Sequence, residues 1–277
     1  MNILITGATG FIGSQLAQTA SEKGHCVIGL SSRCDVIPNC VHSFRRKFGE
    51  RINDVLDKQP LDAAIHCSYD AGQSPSANID GTRIWAEDLK MTRVRQIFIS
   101  SISAKAPVLS PYGFLKNESE KWFMANDGWV VRPGLVIGSG GLFERMFNVV
   151  RKWPVIPLID GGRLSVYYTS LKGLCDTLIH IAEAAPTKRE WNIQQPKPLS
   201  LRDVLKETAA VLKRKRLFVS IPYTPCLWTA WLMSTLRIPF GFNYDNIAGL
   251  RKNARLDIAS DANFESFRAV IRRNMTI

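Results

Sequence analysis

Short apolar runs alternate with amphipathic stretches along the first two thirds of the chain. Ile3-Leu4-Ile5 is a buried-strand pattern that stops at three glycines spaced three apart, Gly7, Gly10 and Gly13, and residues 14–23 follow as a helix-forming segment. Residues 26–30 predict a second strand and 41–44 a third, while 50–58 is amphipathic with Ile52, Val55 and Leu56 on one face. Residues 61–68 read as another buried strand ending in small residues, Asn78-Ile-Asp-Gly81-Thr82 as the opening of a helix, and 95–101 as the next strand. Strands and helices in this order imply right-handed βαβ units. The predicted fold class is therefore α/β, a Rossmann-type doubly wound parallel sheet with a smaller C-terminal lobe.

The glycine-rich turn is the first candidate site. Glycine has no Cβ and tolerates positive φ, so the backbone of a βα turn can approach a pyrophosphate, and the helix that follows offers free N–H groups. Gly7, Thr9, Gly10, Phe11, Ile12 and Gly13 are the residues so placed. Ser31, Ser32 and Arg33 end the second strand, where an acidic residue would hold the ribose 2′-hydroxyl of NAD and an arginine suits the 2′-phosphate of NADP. No acid stands at Ser31 or Ser32. The expected cofactor is NADP, with NAD as the alternative.

Tyr112 and Lys116 lie one helical turn apart on one face. A lysine charge beside a phenol favours the phenolate and lowers a pKa that is otherwise near ~10, which makes Tyr112 a candidate general acid/base for an alcohol oxygen. The pair follows a serine-rich strand end, Ser100-Ser101-Ile102-Ser103. His66 reads as a packed strand-end histidine rather than a base.

Length and composition change this picture little. At 277 residues the chain suits a large α/β domain with a smaller lobe, and its six cysteines show no Cys-x-x-Cys or Cys/His metal spacing. No metal is expected. The chain opens in a strand without a basic-then-apolar leader, which gives a cytoplasmic expectation. The net charge of +12 suits a polyanionic substrate such as a nucleotide diphosphate; Arg45-Arg46-Lys47 and Lys213-Arg-Lys-Arg216 read as solvated faces, without a nucleic-acid motif.

Together these residues resemble the short-chain dehydrogenase/reductase superfamily, and within it the extended or atypical branch, the NAD(P)-dependent epimerase/dehydratase family. Thr6-Gly7-x-x-Gly10-x-x-Gly13 resembles its cofactor turn, Asp62-Ala-Ala-Ile-His66 its fourth strand, and Asn78-x-x-Gly81-Thr82 its Asn-x-x-Gly-Thr. Tyr112-x-x-x-Lys116 with Glu120 resembles the catalytic helix, and Val131-Arg132-Pro133-Gly-Leu-Val136-Ile-Gly138 the strand and loop beside the nicotinamide. Trp191-Asn192-Ile-Gln and Pro198-Leu-Ser200-Leu look like a late strand and the helix start after it. The resemblance implies Tyr112 as acid/base, Lys116 as the residue that holds the nicotinamide ribose, and Ser101 as the hydroxyl on the substrate oxygen, with Ser103 a rival. It also places Cys67, Ser68, Pro133 and Val136 beside the cofactor. Two stretches depart from the family: Ile102-Ser103 stands where its dehydratases carry an Asp-Glu pair, and Ser170-Leu171-Lys172-Gly173 where it has a His-Val-Asp-Asp-like run. Loss of water is therefore not expected.

The resemblance divides the chain into a dinucleotide-binding core, 1–137 with 166–196 returning to it, and a substrate lobe, 138–165 with 197–277. In the lobe Arg163, beside Gly161 and Gly162, is a candidate diphosphate clamp. The apolar run between Pro225 and Arg237 is shorter than the ~20 residues that span a bilayer and reads as a buried lobe helix, with an interfacial surface of Trp228, Trp231 and Leu232 as the alternative. Residues 245–255 and 264–273 read as two amphipathic helices. The implied function is an NAD(P)-dependent oxidoreductase or epimerase acting on a nucleotide-linked sugar or similar hydroxy/keto compound, with a homodimer left open. A non-catalytic dinucleotide-binding sensor or scaffold is the runner-up, and a peripheral membrane enzyme on a lipid-linked substrate the third reading.

Overall fold

The computed structural model describes residues 1–58, 60–105, 110–222, 260–261 and 265–275, so the Trp-rich run at 225–242 and the expected helix at 245–255 lie outside the described residues. In chain order the first elements are β1 (Asn2–Thr6), α1 (Phe11–Glu22), β2 (Cys26–Ser31), β3 (His42–Arg45), α2 (Asn53–Leu56), β4 (Ala63–His66), α3 (Pro75–Lys90), β5 (Arg95–Ile99), α4 (Pro111–Ala125) and β6 (Trp129–Pro133). Then come β7 (Leu135–Ile137), α5 (Gly141–Lys152), β8 (Val155–Ile159), β9 (Ser165–Val166), β10 (Tyr168–Ser170) and α6 (Leu171–Ala184). The last are β11 (Glu190–Ile193), β12 (Leu199–Ser200), α7 (Leu201–Val211), β13 (Leu217–Ile221) and α8 (Phe267–Asn274).

The chain divides into two compact units, one of Met1–Val108, Tyr112–Pro133 and Leu171–Asn192, the other of Leu109–Pro111, Gly134–Ser170 and Ile193–Ile277. The first unit is built on a seven-stranded sheet of order β11-β6-β5-β4-β1-β2-β3, with parallel registers from β6 through to β3. Leu4, Ile28, Leu30 and Ala64 pack with Ile52, Val55, Trp85 and Leu89 on the face covered by α2 and α3. Helices α1 and α6 cover the other face. Strands β4 and β6 are buried along their whole length, as a sheet covered on both sides requires. The second unit has its own core, in which Phe143, Phe147 and Val150 of α5 meet Val204 and Leu205 of α7 and Val270 and Ile271 of α8.

Two elements differ from the sequence expectation, and side-chain claims on the backbone explain both. The amphipathic stretch 50–58 yields only the single turn α2, because the Ile52 N–H donates to Asp88 Oδ2 at 2.9 Å and the Glu50 carbonyl accepts from Trp85 Nε1 at 2.6 Å. Helix α3 begins at Pro75, not Asn78, since Ser74 caps it by accepting from the Ala77 N–H at 3.2 Å and Pro75 suits the first helical position.

One buried polar cluster fixes α4 on the sheet. Arg132 of β6 donates from Nε to Glu120 Oε1 at 2.8 Å and from Nη2 to Oε2 at 2.6 Å, and Ser100, just past β5, also donates to Glu120. Arg132 Nη1 donates further to Glu190 Oε2 of β11 at 2.6 Å. The Ser100, Glu120 and Arg132 residues are 2%, 4% and 7% exposed, so the carboxylate and guanidinium exist as ions there only because each satisfies the other. Glu120→Ala removes one ion and leaves Arg132 largely buried with one partner, which should cost about 3–5 kcal/mol. Urea unfolding measures it, and a loss under about 1 kcal/mol would show that the cluster is not holding the helix.

Candidate active site

The order of the sheet reverses between β1 and β4, and in open α/β sheets that crevice, outside the carboxyl ends of the strands, is where ligands sit. The glycine turn leaves β1 there. Gly7 has φ 66°, and the Gly10 N–H donates to its carbonyl at 2.8 Å. A Cβ on Gly13 would stand 2.2 Å from the Gly7 carbonyl oxygen, so no other residue fits without breaking the turn. Gly10 caps α1 with no side-chain hydrogen bond, and Phe11 and Ile12, both half-buried, start the helix. The N-terminal amides of α1 thus have no side-chain acceptor at the cap.

After β4 the chain passes Cys67, Ser68 and Tyr69 beside this turn. A Cβ on Gly7 would lie 3.0 Å from the Ser68 Cα, and the Ser68 N–H donates to Thr6 Oγ1 at 3.3 Å. Asn78, buried inside α3, clamps the loop by accepting from the Asp70 N–H at 2.9 Å and donating to the Asp70 carbonyl at 2.8 Å. This is the local reason for an asparagine there: it ties the loop to the start of the helix, its Nδ2 also donating to the Ser74 carbonyl at 3.1 Å.

At the end of β2, Ser31 is buried and its hydroxyl is engaged on two sides, with Thr9 Oγ1 at 2.8 Å and the Arg33 N–H at 3.0 Å. Ser32 and Arg33 are exposed. Register places Arg45 of β3 opposite Ser31, and its side chain, 60% exposed, reaches Asp35 only at 3.7 Å. Arg45, from the run that reads as a solvated face in the sequence, is thus exposed and set beside the end of β2.

Helix α4 carries Tyr112 and Lys116 one turn apart, as the spacing predicts. Lys116 is buried, its Nζ donating to the Ile99 carbonyl at 2.8 Å and lying 4.6 Å from the Phe98 ring centroid. That bond ties the helix to the end of β5, which runs on to Ser101. Ser101 caps a 3₁₀ turn, Ile102–Ala104, by accepting from the Ser103 N–H at 3.2 Å, and its Oγ lies 3.3 Å from Ser103 Oγ. The two hydroxyls that compete for one role in the sequence are hydrogen-bonded neighbours.

Tyr69 is a residue that sequence reasoning missed. Its ring meets Tyr112 edge-on with centroids 5.3 Å apart, and Lys116 Nζ lies 5.9 Å from each of the two rings. Its only sequence signal is position, three residues past the end of β4 at the reversal of the sheet.

The electrostatics correct one expectation. The Tyr112 phenol is raised, not lowered, first by desolvation and then because Tyr69 stands beside it, although the residue as a whole is 38% exposed; Lys116 is turned toward the Ile99 carbonyl. Burial lowers Lys116 to about 8, against smaller opposing effects of Cys67 and Glu120. Burial raises the Cys67 thiol to about 12, which makes it an inert neighbour. His66, fully buried, is lowered to about 4 by burial in spite of its bond to Gln96 at 3.1 Å. Pro133, also buried, ends β6 in this unit; Val136 on β7 and the exposed Arg163 belong to the second unit. Ser170 ends β10, and Lys172 and Gly173 fall in the first turn of α6.

Residues 3–95 match the NAD dependent epimerase/dehydratase family. Over that stretch the chain is similar to the family. The matched stretch holds the glycine turn, the end of β2 and the Asn78 clamp, and stops before α4. A ceramide reductase of Caulobacter vibrioides is 28% identical over 175 residues, 57% of this chain and 54% of that protein. A UDP-glucose 4-epimerase of Neisseria meningitidis is 27% identical over 157 residues, 43% of this chain and 46% of that one. The chain thus spans about half the length of these curated relatives. In fold it resembles a UDP-glucose 4-epimerase from Stenotrophomonas maltophila solved with NAD and a formylated UDP-arabinopyranose, with TM-score 0.69, 16% identity, and 80% of this chain and 86% of that chain covered. A Thermotoga maritima UDP-glucose 4-epimerase solved with UDP-glucose gives TM-score 0.67 at 17% identity, with 80% and 86% covered.

The neutral His66 gives the stability of the protein a pH dependence. An unfolded histidine takes its proton near ~6.5, while the folded one resists to about 4, so the unfolded state binds more protons between those values and stability falls on acidification through that window. The stability advantage of wild type over His66→Gln should shrink from pH 6.5 to pH 4 in urea titrations. A gap that stays constant would show that His66 does not titrate in this way.

Proposed function

We propose that the chain is an NAD(P)-dependent oxidoreductase or epimerase that works on a carbinol or carbonyl carbon of a nucleotide-linked sugar or related hydroxy/keto compound. The observation that carries this is the tie between α4 and β5: Lys116 on the Ile99 carbonyl holds the Tyr112–Lys116 pair beside the strand end that bears Ser101. The turn at Gly7, Gly10 and Gly13, with Gly7 at positive φ and no room for a Cβ on Gly13, fits a dinucleotide backbone-first along its pyrophosphate. A bound nicotinamide supplies the hydride acceptor or donor. Ser101 or its neighbour Ser103 then donates a hydrogen bond to the substrate oxygen. Tyr112, whose raised pKa keeps it protonated, gives its proton to a carbonyl oxygen being reduced and becomes the phenolate; in the oxidation direction it must first lose that proton, and the phenolate then takes one from the alcohol. Lys116 brings positive charge within one turn of the phenol and offsets the phenolate when it forms. Beside Ser101 stand Ile102 and Ser103, neither an ionisable acid nor a base, so the product keeps all its water.

The substrate class is supported by the epimerase and the two solved structures named above; the ceramide reductase supports a second reading, in which the hydroxy/keto compound is a lipid. The solved Stenotrophomonas relative holds NAD. For this chain the exposed Arg33 and Arg45, beside the neutral buried Ser31 that ends β2, support NADP, because a guanidinium pairs with a 2′-phosphate and neither Ser31 nor Ser32 is a carboxylate that would hold a 2′-hydroxyl.

Tyr112→Phe should reduce hydride transfer by about 10²-fold or more, the usual worth of a general acid/base, with cofactor affinity nearly unchanged. Stopped-flow reading of the reduced-nicotinamide band checks this, and unchanged turnover would falsify the assignment. Lys116→Met should lower both turnover and affinity. The product, weighed by mass spectrometry, should not be lighter than the substrate by one water.

Cofactor choice tests the other end of the turn. Fluorescence titration should show tighter binding of NADPH than NADH, with Arg33→Ala narrowing the gap by about tenfold, the worth of one charge-assisted contact. Tighter binding of NADH by the wild type overturns that choice.

A further inference from the structure

The second unit carries an apolar surface outside the chemistry described above. Strands β8 and β13 pair in parallel, with Val155 opposite Leu217, Pro157 opposite Val219 and Ile159 opposite Ile221. Alternation sends Ile156 and Leu158 into the core and leaves Val155, Pro157, Leu217 and Val219 exposed on the other face. Trp153, 53% exposed, extends that face at its starting end. Because the strands run the same way, the segments that precede them meet. The Leu217 N–H donates to the Pro154 carbonyl at 3.0 Å, and Arg216 donates to the Val150 and Arg151 carbonyls at 2.7 and 2.9 Å. This brings Arg151 and Lys152 next to Lys213, Arg214 and Lys215, all exposed.

We propose that this face docks the protein on an anionic lipid bilayer, with Trp153, Val155, Leu217 and Val219 entering the headgroup boundary and the five cations meeting lipid phosphates. Apolar contact and anionic attraction are the two components of interfacial binding, and each attraction is small, so several cations on one rim are needed. Charge decides between occupants. The chain's own 223–259, which follows β13, carries Arg237, Arg251, Lys252 and Arg255 against Asp245 and Asp257, so it is itself basic and does not complement the rim. A second copy would set the same basic rim against itself.

Co-sedimentation of the full chain tests the proposal. It should pellet with phosphatidylcholine/phosphatidylglycerol vesicles, stay soluble with phosphatidylcholine alone, and be released by salt. Leu217→Ser/Val219→Ser and Lys213→Glu/Lys215→Glu should each weaken binding by about tenfold or more while the circular-dichroism melt stays that of wild type. If the apolar pair does not fold, the charge variant alone decides. The proposal is overturned if wild type does not pellet above the neutral-vesicle level, or if both face variants bind like wild type. It is equally overturned if binding is lost only in Trp228→Ser/Trp231→Ser, if duplex DNA binds as well as the vesicles, or if the face variants break a wild-type dimer in sedimentation equilibrium.

Discussion

The buried pair of Arg132 and Glu120 is the constraint on which the chemistry depends. Lys116 and Tyr112 belong to the same helix as Glu120, and a helix on a parallel sheet can slide or roll unless something polar fixes its register. Two parallel N–H···O bonds between a guanidinium and a carboxylate, with a hydroxyl from Ser100 on the same carboxylate, fix it in both senses. The helix is then held one turn and two turns past Tyr112, by Lys116 on β5 and by Glu120 on β6. The proposed chemistry, with a phenol in reach of a strand-end serine, needs that rigidity more than it needs the net stability of an ion pair, which a well-packed apolar pair would match.

Lys116 shows the opposite balance. Its ammonium lies between Phe98, Tyr69 and Tyr112, where burial works against the charge and leaves it near 8, so at neutral pH it is still mostly protonated but close to the margin. Its hydrogen bond goes to a backbone carbonyl, while Cys67 and the Glu120 carboxylate offset the burial only in part. A carboxylate in direct contact would stabilise the charge and also neutralise the field that the lysine can project; the Ile99 carbonyl fixes the position and leaves the charge.

How much of this was legible varies with how local each device is. The glycine turn, the strand sequence and the Tyr112–Lys116 spacing are carried by residues a few positions apart, so their physical reasons are visible in the chain itself. Asn78 was visible as a motif but not as a clamp, because its partner Asp70 is a loop residue whose path only the fold determines. Ser31 was visible as a missing acid, yet its hydroxyl turns out to be engaged with Thr9 across the turn and the Arg33 amide. Tyr69, and the direction of the Tyr112 shift, depend on which rings meet across 43 residues of sequence, counted from 69 to 112, and no periodicity encodes that.

The positive charge makes the same point at the scale of the whole chain. Arg45-Arg46-Lys47 and Lys213-Arg-Lys-Arg216 look alike as sequence, two basic runs of the kind that usually solvate a face. Folding treats them differently. In the first run Arg46 is spent on Asp54, while parallel register sets Arg45 opposite Ser31 at the end of β2. In the second, Arg216 is consumed by the carbonyls that end α5, and the three residues before it are gathered with Arg151 and Lys152 at the edge of an apolar sheet face. A formal charge of +12 therefore has no single meaning here: what each cation does follows from which strand ends beside it and whether a nearby carboxylate or carbonyl has already claimed it.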